Sequence, residues 1–340
     1  MIRSLALLPL LALVACGGDK SEDTAAGDSA TSDCTITVTT TPSSDAVNAY
    51  YRGTIDFRLS AADSTATIET DIPGTQSLSS DGKTVIWIPS APLAPATAYS
   101  ATLHYCAGDA VLNFTTSELG TDIADSDSLV GKAFALDLLQ ARIVEPAGIG
   151  AVLSQFLTQD ILVGVESVEG DSIQMIGAIG ADAAATPTQN FCDPTIPFPV
   201  ADFSEAPFFS IGPADTTLNV AGFAITIGQL NITGTIAPDG SYFGGGTLSG
   251  TIDTRPLAPL LDETGDPGAI CNLAVSFGVT CEPCADGEPY CLNLVADQIV
   301  ATGITTGPVV EVGGADCTDC LTWTSATTPA VEDQVCPVVE

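Results

Sequence analysis

The first third of the chain, after an apolar N-terminal run, alternates between apolar and polar residues with a period of two. Such alternation places apolar side chains on one face of a β-strand and polar side chains on the other. Turn-forming residues such as Ser80-Asp81-Gly82-Lys83 separate the alternating segments at intervals of about ten residues. The pattern predicts an antiparallel β-sandwich with strands over 35–39, 54–59, 65–70, 85–88, 99–105 and 110–115.

Hairpin signals continue in the second part of the chain, which we therefore predict to be mainly antiparallel β as well. The turn Glu169-Gly170-Asp171 separates two apolar segments at 161–168 and 172–179. Further strands are predicted over 218–226, 230–236, 242–252 and 291–300. A long loop is expected over 184–209, and short helices are expected after Glu145-Pro146, over 256–261 and, capped by Asp266, over 267–275. The prediction for 129–340 is a disulfide-rich curved sheet or barrel with a few short helices.

An apolar run over residues 5–14 follows Arg3 at the N-terminus. As a helix it would rise only about 15 Å, against a hydrocarbon core of about 30 Å. We therefore interpret 1–15 as a signal peptide and 16–33, rich in Gly, Ser and Asp, as a disordered acidic tether. The end of the run, Leu13-Val14-Ala15-Cys16, resembles the lipobox of bacterial lipoproteins. The resemblance implies lipidation of Cys16 and, with Gly17 following, an outer-membrane anchor in a Gram-negative bacterium.

A proline-containing corner, LAPATAY, ends at Tyr99 where a strand is predicted to begin. A tyrosine corner has this arrangement, and its hydroxyl bonds back to nearby backbone. Together with DGKT at 81–84 and LNFTT at 112–116, this order resembles the SbsA-type bacterial Ig-like domain. The resemblance covers 34–118 and implies an Ig-like fold, a spacer or adhesion role and no common catalytic site. Residues 119–128 would then link this domain to the second one at 129–340.

The composition is strongly acidic. Asp and Glu number 42 against 8 Lys and Arg, which gives a formal net charge of −34. Such a chain repels nucleic acid and anionic lipid headgroups, so we exclude nucleic acid as a partner. Calcium is the one cofactor considered, as a weak alternative, because no D-x-D-x-D-G loop occurs. The nearest acidic clusters, 125–127 and 262–266, are better interpreted as turns and helix caps.

Ten cysteines remain when Cys16 is set aside, an even number in an exported chain. We predict structural disulfides, with Cys34 and Cys106 paired because they are the two cysteines of the first domain. The candidates are Cys34, Cys106, Cys192, Cys271, Cys281, Cys284, Cys291, Cys317, Cys320 and Cys336. Two alternatives use the C-x-P-C at 281–284. A zinc site with the C-x-x-C at 317–320 is disfavoured by the gap of 32 residues between the pairs, and a thioredoxin-like redox pair lacks its βαβ context.

Two other features are given structural interpretations. His104, the single histidine, falls with Ser100 and Thr102 on the polar face of its strand, so we expect it to face solvent. The run Gly244-Gly245-Gly246 lies inside a strand pattern, which indicates a bulge or close packing rather than a phosphate-binding loop.

No catalytic, metal or nucleotide-binding motif is found, so we predict a protein without enzymatic activity. The expected role is a lipid-anchored lipoprotein whose Ig-like domain presents the second domain to an unidentified protein or surface partner. One alternative is an apolar-ligand or lipid carrier, suggested by the apolar segments 161–165 and 223–227. The other is a secreted hydrolase of unrecognised type. A closed apolar pocket in the second domain would favour the carrier, and Asp or Glu converging with Ser there would favour the hydrolase.

Overall fold

Two four-stranded sheets pack face to face in the first part of the chain. The computed structural model describes residues 34–138, 140–146, 159–181, 187–191, 193–220, 223–261 and 265–312. The sheets have strand orders β1-β3-β6-β5 and β2-β8-β7-β4. The strands are β1 Val38–Thr41, β2 Ala46–Ala49, β3 Ile55–Leu59, β4 Thr67–Thr70, β5 Gly74–Leu78, β6 Thr84–Pro89, β7 Ala98–Tyr105 and β8 Gly108–Thr116.

This strand order is that of an immunoglobulin-type sandwich. If the strands are lettered along the chain as A, A′, B, C, D, E, F and G, the sheets are ABED and A′GFC. Strand β2 runs parallel to β8, whereas the other pairs are antiparallel. Alternate side chains of a strand face opposite sides of the sheet. In β7, Ala101 and Leu103 face the core and are buried, whereas His104 is not buried. The Ig-like β-sandwich predicted from the sequence is therefore confirmed.

The second part of the chain forms a closed antiparallel barrel of eight strands. The order around it is β9-β11-β12-β14-β15-β16-β17-β18, and β18 pairs with β9 to close the circle. Strand β10 pairs with β18, and β13 pairs with β12. The bounds are β9 Ala133–Leu136, β10 Arg142–Glu145, β11 Ile161–Glu169, β12 Ser172–Ile179, β13 Ile196–Pro197, β14 Ala201–Asp202, β15 Phe208–Val220, β16 Phe223–Ile236, β17 Tyr242–Asp253 and β18 Cys291–Gly303.

The described helices are short. Two 3₁₀ helices span Ser126–Leu129 and Arg255–Leu260, and one α-helix, α1, spans Ala269–Ser276. The N-cap of α1 is Gly268 and not Asp266, whose Oδ1 instead accepts a hydrogen bond from the Gly268 N–H at 2.9 Å. That part of the prediction is wrong by two residues. No helix within the described ranges is long and apolar enough to cross a membrane.

Two other local predictions are wrong. The single strand predicted over 218–226 is two antiparallel strands, because β15 ends at Val220 and pairs there with Phe223, the first residue of β16. The loop predicted over 184–209 contains β13 and β14 and gives way to β15 at Phe208. Helix residues predicted after Pro146 fall outside the described residues.

Candidate functional site

The sandwich meets the barrel through three consecutive residues, Tyr50, Tyr51 and Arg52, which lie between β2 and β3. The Tyr50 hydroxyl lies 2.9 Å from Thr235 Oγ1 of β16, and Thr235 donates a longer bond of 3.4 Å to the Tyr51 hydroxyl. Thr235 is fully buried. A buried hydroxyl needs such partners, since an unpaired one costs about 1–3 kcal/mol.

The Tyr50 ring packs directly against the backbone of the barrel at Gly245. Gly245 has φ +61°, and a Cβ added there would lie 2.1 Å from Tyr50 Cε2. Both properties require glycine, because other residues rarely adopt this conformation and none leaves room for the ring. The strand β17 also shifts register against β18 between Phe243 and Gly246. The glycine run is therefore both a bulge and a site of close packing, as predicted.

Arg52 adds polar and stacking contacts between the sandwich and the barrel. Its guanidinium lies 3.9 Å from the centre of the Phe208 ring, pairs with the Glu205 carboxylate and donates to the Tyr51 hydroxyl at 3.0 Å. Stacking on an aromatic face while bonding a carboxylate suits the planar guanidinium better than an ammonium group. We call the set Tyr50, Tyr51, Arg52, Phe208, Thr235 and Gly245 the aromatic joint.

Burial in the aromatic joint raises the pKa of Tyr50 to about 12, and the hydrogen bond to Thr235 opposes that shift. The phenol is therefore neutral at physiological pH and acts as a hydrogen-bonding group. The sandwich core continues across the joint, because Ala237 of the barrel, 1% exposed, belongs to the same apolar cluster as Phe57 and Leu112. The joint therefore holds the two β units together through hydrogen bonds, ring contacts and a shared apolar cluster.

Two disulfides lie near the end of the barrel at which β17 ends and β18 begins. Cys271 of α1 is bonded to Cys281, and Cys284 is bonded to Cys291 at the start of β18. The two cysteines of the C-x-P-C motif therefore belong to different disulfides. This pairing does not fit the thioredoxin-like alternative, and it leaves no thiolate there for a zinc site.

One group of candidate metal ligands occurs among the described residues, formed by Asp253, Cys284 and Cys291 within 4.8 Å of one another. Both sulfurs are consumed by the disulfide. The carboxylate is also engaged, because the Arg255 guanidinium bonds to it and holds the pKa of Asp253 below its usual range. Arg255 also pairs with Asp286 at 2.6 Å, so these charges hold the loop that the Cys284–Cys291 disulfide closes.

The remaining predicted site residues are placed as follows. Cys34 and Cys106 are each disulfide-bonded. The Tyr99 hydroxyl accepts a hydrogen bond from the Ala94 N–H at 2.9 Å, which is the contact that a tyrosine corner makes. Asp125 caps the first 3₁₀ helix through the Asp127 N–H. Five of the predicted cysteines lie outside the described residues, and they are Cys16, Cys192, Cys317, Cys320 and Cys336.

His104 lies on the solvent side of β7, as predicted, but it has partners that the sequence did not suggest. Its Nδ1 lies 2.7 Å from Asp109 on β8, and its Nε2 lies 2.9 Å from Glu69 on β4. An imidazolium can donate to both carboxylates, whereas neutral imidazole can donate to one. The hydrogen bond to Asp109, and then that to Glu69, raises the pKa of His104 above its ordinary 6.5.

The proton resonances of this single histidine are expected to titrate with a midpoint above 6.5. Because the folded pKa is raised, the ion pairs contribute stability that is full below the unfolded pKa and is lost as the pH rises through the folded pKa. NMR titration measures the midpoint directly. Asp109→Asn is expected to lower it, and Glu69→Gln to lower it less. A midpoint at or below 6.5 in the unaltered protein would contradict the geometry.

Among the described residues, a buried cluster of apolar side chains occupies the interior of the barrel. Phe243 contacts Phe134 and Phe209 edge to face, with ring centres 5.4 and 5.5 Å apart. Val163, Met175 and Ile211 complete the same buried cluster. A barrel of eight strands is just wide enough to be filled in this way. Two open grooves lie on the sandwich, one of about 330 Å³ beside Leu93 and Tyr99 and a larger one of about 490 Å³ across β2, β8 and β7.

No protein-family model, no curated protein and no solved structure matches this chain.

Proposed function

We propose that the protein is a non-enzymatic lipoprotein, anchored through Cys16 in the outer membrane of a Gram-negative bacterium. Its Ig-like sandwich serves as a spacer or adhesion module that presents the barrel to a protein or surface partner. The observation that carries the proposal is the segment Leu13-Val14-Ala15-Cys16 after an apolar run. Each buried CH₂ contributes roughly 0.8 kcal/mol, and the two or three acyl chains that a lipobox implies on one cysteine satisfy the need for a stable anchor.

The charge and the barrel core support this role. A formal net charge of −34 opposes adsorption of the folded part to anionic headgroups. A buried apolar cluster that includes Phe134, Phe209 and Phe243 occupies interior space that an apolar-ligand carrier would need for its ligand. Recognition by the barrel would then use its outer surface and loops.

Replacing Cys16 by serine is expected to move the protein from the membrane pellet to the soluble fraction, because the lipid attachment site is lost. Ser4→Ala lies in the same leader and keeps the lipobox, so it should stay with the membranes. Fractionation followed by immunodetection makes the comparison, and protease treatment of intact cells reports the orientation. A Cys16→Ser protein that sediments with membranes like Ser4→Ala would sink the proposal.

A further inference from the structure

The segment that connects the sandwich to the barrel is held at both ends. Leu119 is buried in the sandwich core, where its side chain approaches Gly244 of the barrel. Ile123 packs against the barrel core, and Leu129 is fully buried within it. Lys132 then donates to the backbone carbonyls of Asp239 and Gly240 at 3.0 and 3.2 Å. The connecting segment 119–132 therefore restricts rotation of the barrel relative to the sandwich.

The apolar contact between the two units is continuous with the sandwich interior. Ala237 and Tyr242, at the two ends of the turn between β16 and β17, belong to or pack against the sandwich core. Domains that merely share a linker have separate cores and unfold separately, whereas a shared buried core couples them.

We propose that the aromatic joint makes the sandwich and the barrel one cooperative folding unit, so that the barrel is presented in a single fixed orientation. The joint fixes orientation through groups that cannot slide: a ring seated on Gly245, a buried hydroxyl at Thr235 and a guanidinium stacked on Phe208. The proposal does not depend on lipidation. Calorimetry of the soluble protein can contradict it whatever the fractionation experiment shows, and the reverse also holds.

The test uses the full chain carrying Cys16→Ser, with Gly245→Ala as the disrupting variant and Gly170→Ala as its matched control. Both glycines have nearly the same positive φ, +61° and +58°, so alanine is strained equally at each. The added Cβ would meet the Tyr50 ring at position 245 and nothing within 4 Å at position 170. Any excess effect of Gly245→Ala therefore comes from expelling the ring.

Differential scanning calorimetry is expected to give one endotherm for the parent chain and for Gly170→Ala, and two endotherms for Gly245→Ala. Endoproteinase Glu-C cleavage after the exposed Glu118 should be roughly tenfold faster in Gly245→Ala than in Gly170→Ala, because cleavage follows the population in which the joint is open. Two endotherms in the parent chain, or equal profiles and cleavage rates for the two glycine variants, would overturn the proposal.

Tyr50→Ala keeps the test decisive if Gly245→Ala does not fold. It removes the ring without adding a clash, and it should also divide the endotherm. In the double variant Tyr50→Ala with Gly245→Ala, the added Cβ no longer meets a ring. Relative to Tyr50→Ala alone, the double variant should therefore change the transition temperature only as much as Gly170→Ala changes that of the parent chain. Such non-additivity is expected for two residues in direct contact. A single endotherm in Tyr50→Ala would contradict the proposed role of the joint.

Discussion

Replacing Phe243 by alanine is expected to lower the free energy of unfolding by about 3–5 kcal/mol. Phe243 is 4% exposed and packs edge to face against Phe134 and Phe209. The strands that carry these neighbours are fixed by barrel closure, so the structure cannot collapse to fill the space. Urea unfolding followed by circular dichroism measures the loss, provided that the slope of the transition is unchanged.

The matched control is Phe277→Ala, which deletes the same side chain at a position that is 46% exposed just after α1. Its cost should be about 1 kcal/mol or less, because much of that ring already contacts water. The comparison also bears on the carrier alternative. If the barrel enclosed a ligand cavity, Phe243→Ala would lower the free energy of unfolding no more than Phe277→Ala does. Such a result would contradict a close-packed barrel interior.

Removing the Cys271–Cys281 disulfide by a double substitution to alanine is expected to cost about 2.5–3 kcal/mol. The bond closes a loop with a sequence separation of 10, and its loss enlarges the unfolded ensemble. It also holds α1 in place, because Cys271 and Ala274 of that helix are buried and Cys271 Sγ lies 3.5 Å from Thr254 Oγ1. Hydrogen exchange should therefore accelerate first in Ala269–Ser276, ahead of the barrel strands.

The disulfide connectivity itself can be read by peptide mapping under non-reducing conditions. The structure requires one linked pair at 271 and 281 and another at 284 and 291. The double variant Cys284→Ala with Cys291→Ala, whose loop separation is 7, should lose a similar amount of stability without loosening α1. A peptide with Cys281 bonded to Cys284 would show that the assigned pairing is wrong.

Local alternation predicted much of the strand content, because the physical signal lies within each segment. The turn Glu169-Gly170-Asp171 gave the hairpin of β11 and β12 correctly. Strands β2 and β5 were missed because they are short and expose most of their side chains, so they carry little apolar signal. Closure of the barrel rests on pairing between Leu136 and Ala301, and no local pattern encodes contacts so distant in sequence.

The aromatic joint could be anticipated only in part. The glycine run indicated close packing at 244–246, but nothing in it named Tyr50 as the group that packs there. One of the two partners of His104 could have been predicted from the sequence. Asp109 lies opposite His104 across the β7–β8 hairpin, a register that the tight turn fixes. Glu69 required knowledge that β4 pairs with β7, which is a tertiary property.

Mass spectrometry of the N-terminal peptide tests the central claim most directly. We expect the protein purified from membranes to begin at Cys16 and to carry a diacylglyceryl group on the sulfur, with or without a further acyl chain on the amine. An N-terminal peptide that extends upstream of Cys16, or one that begins there with a free thiol, would contradict the lipid anchor and with it the proposed function.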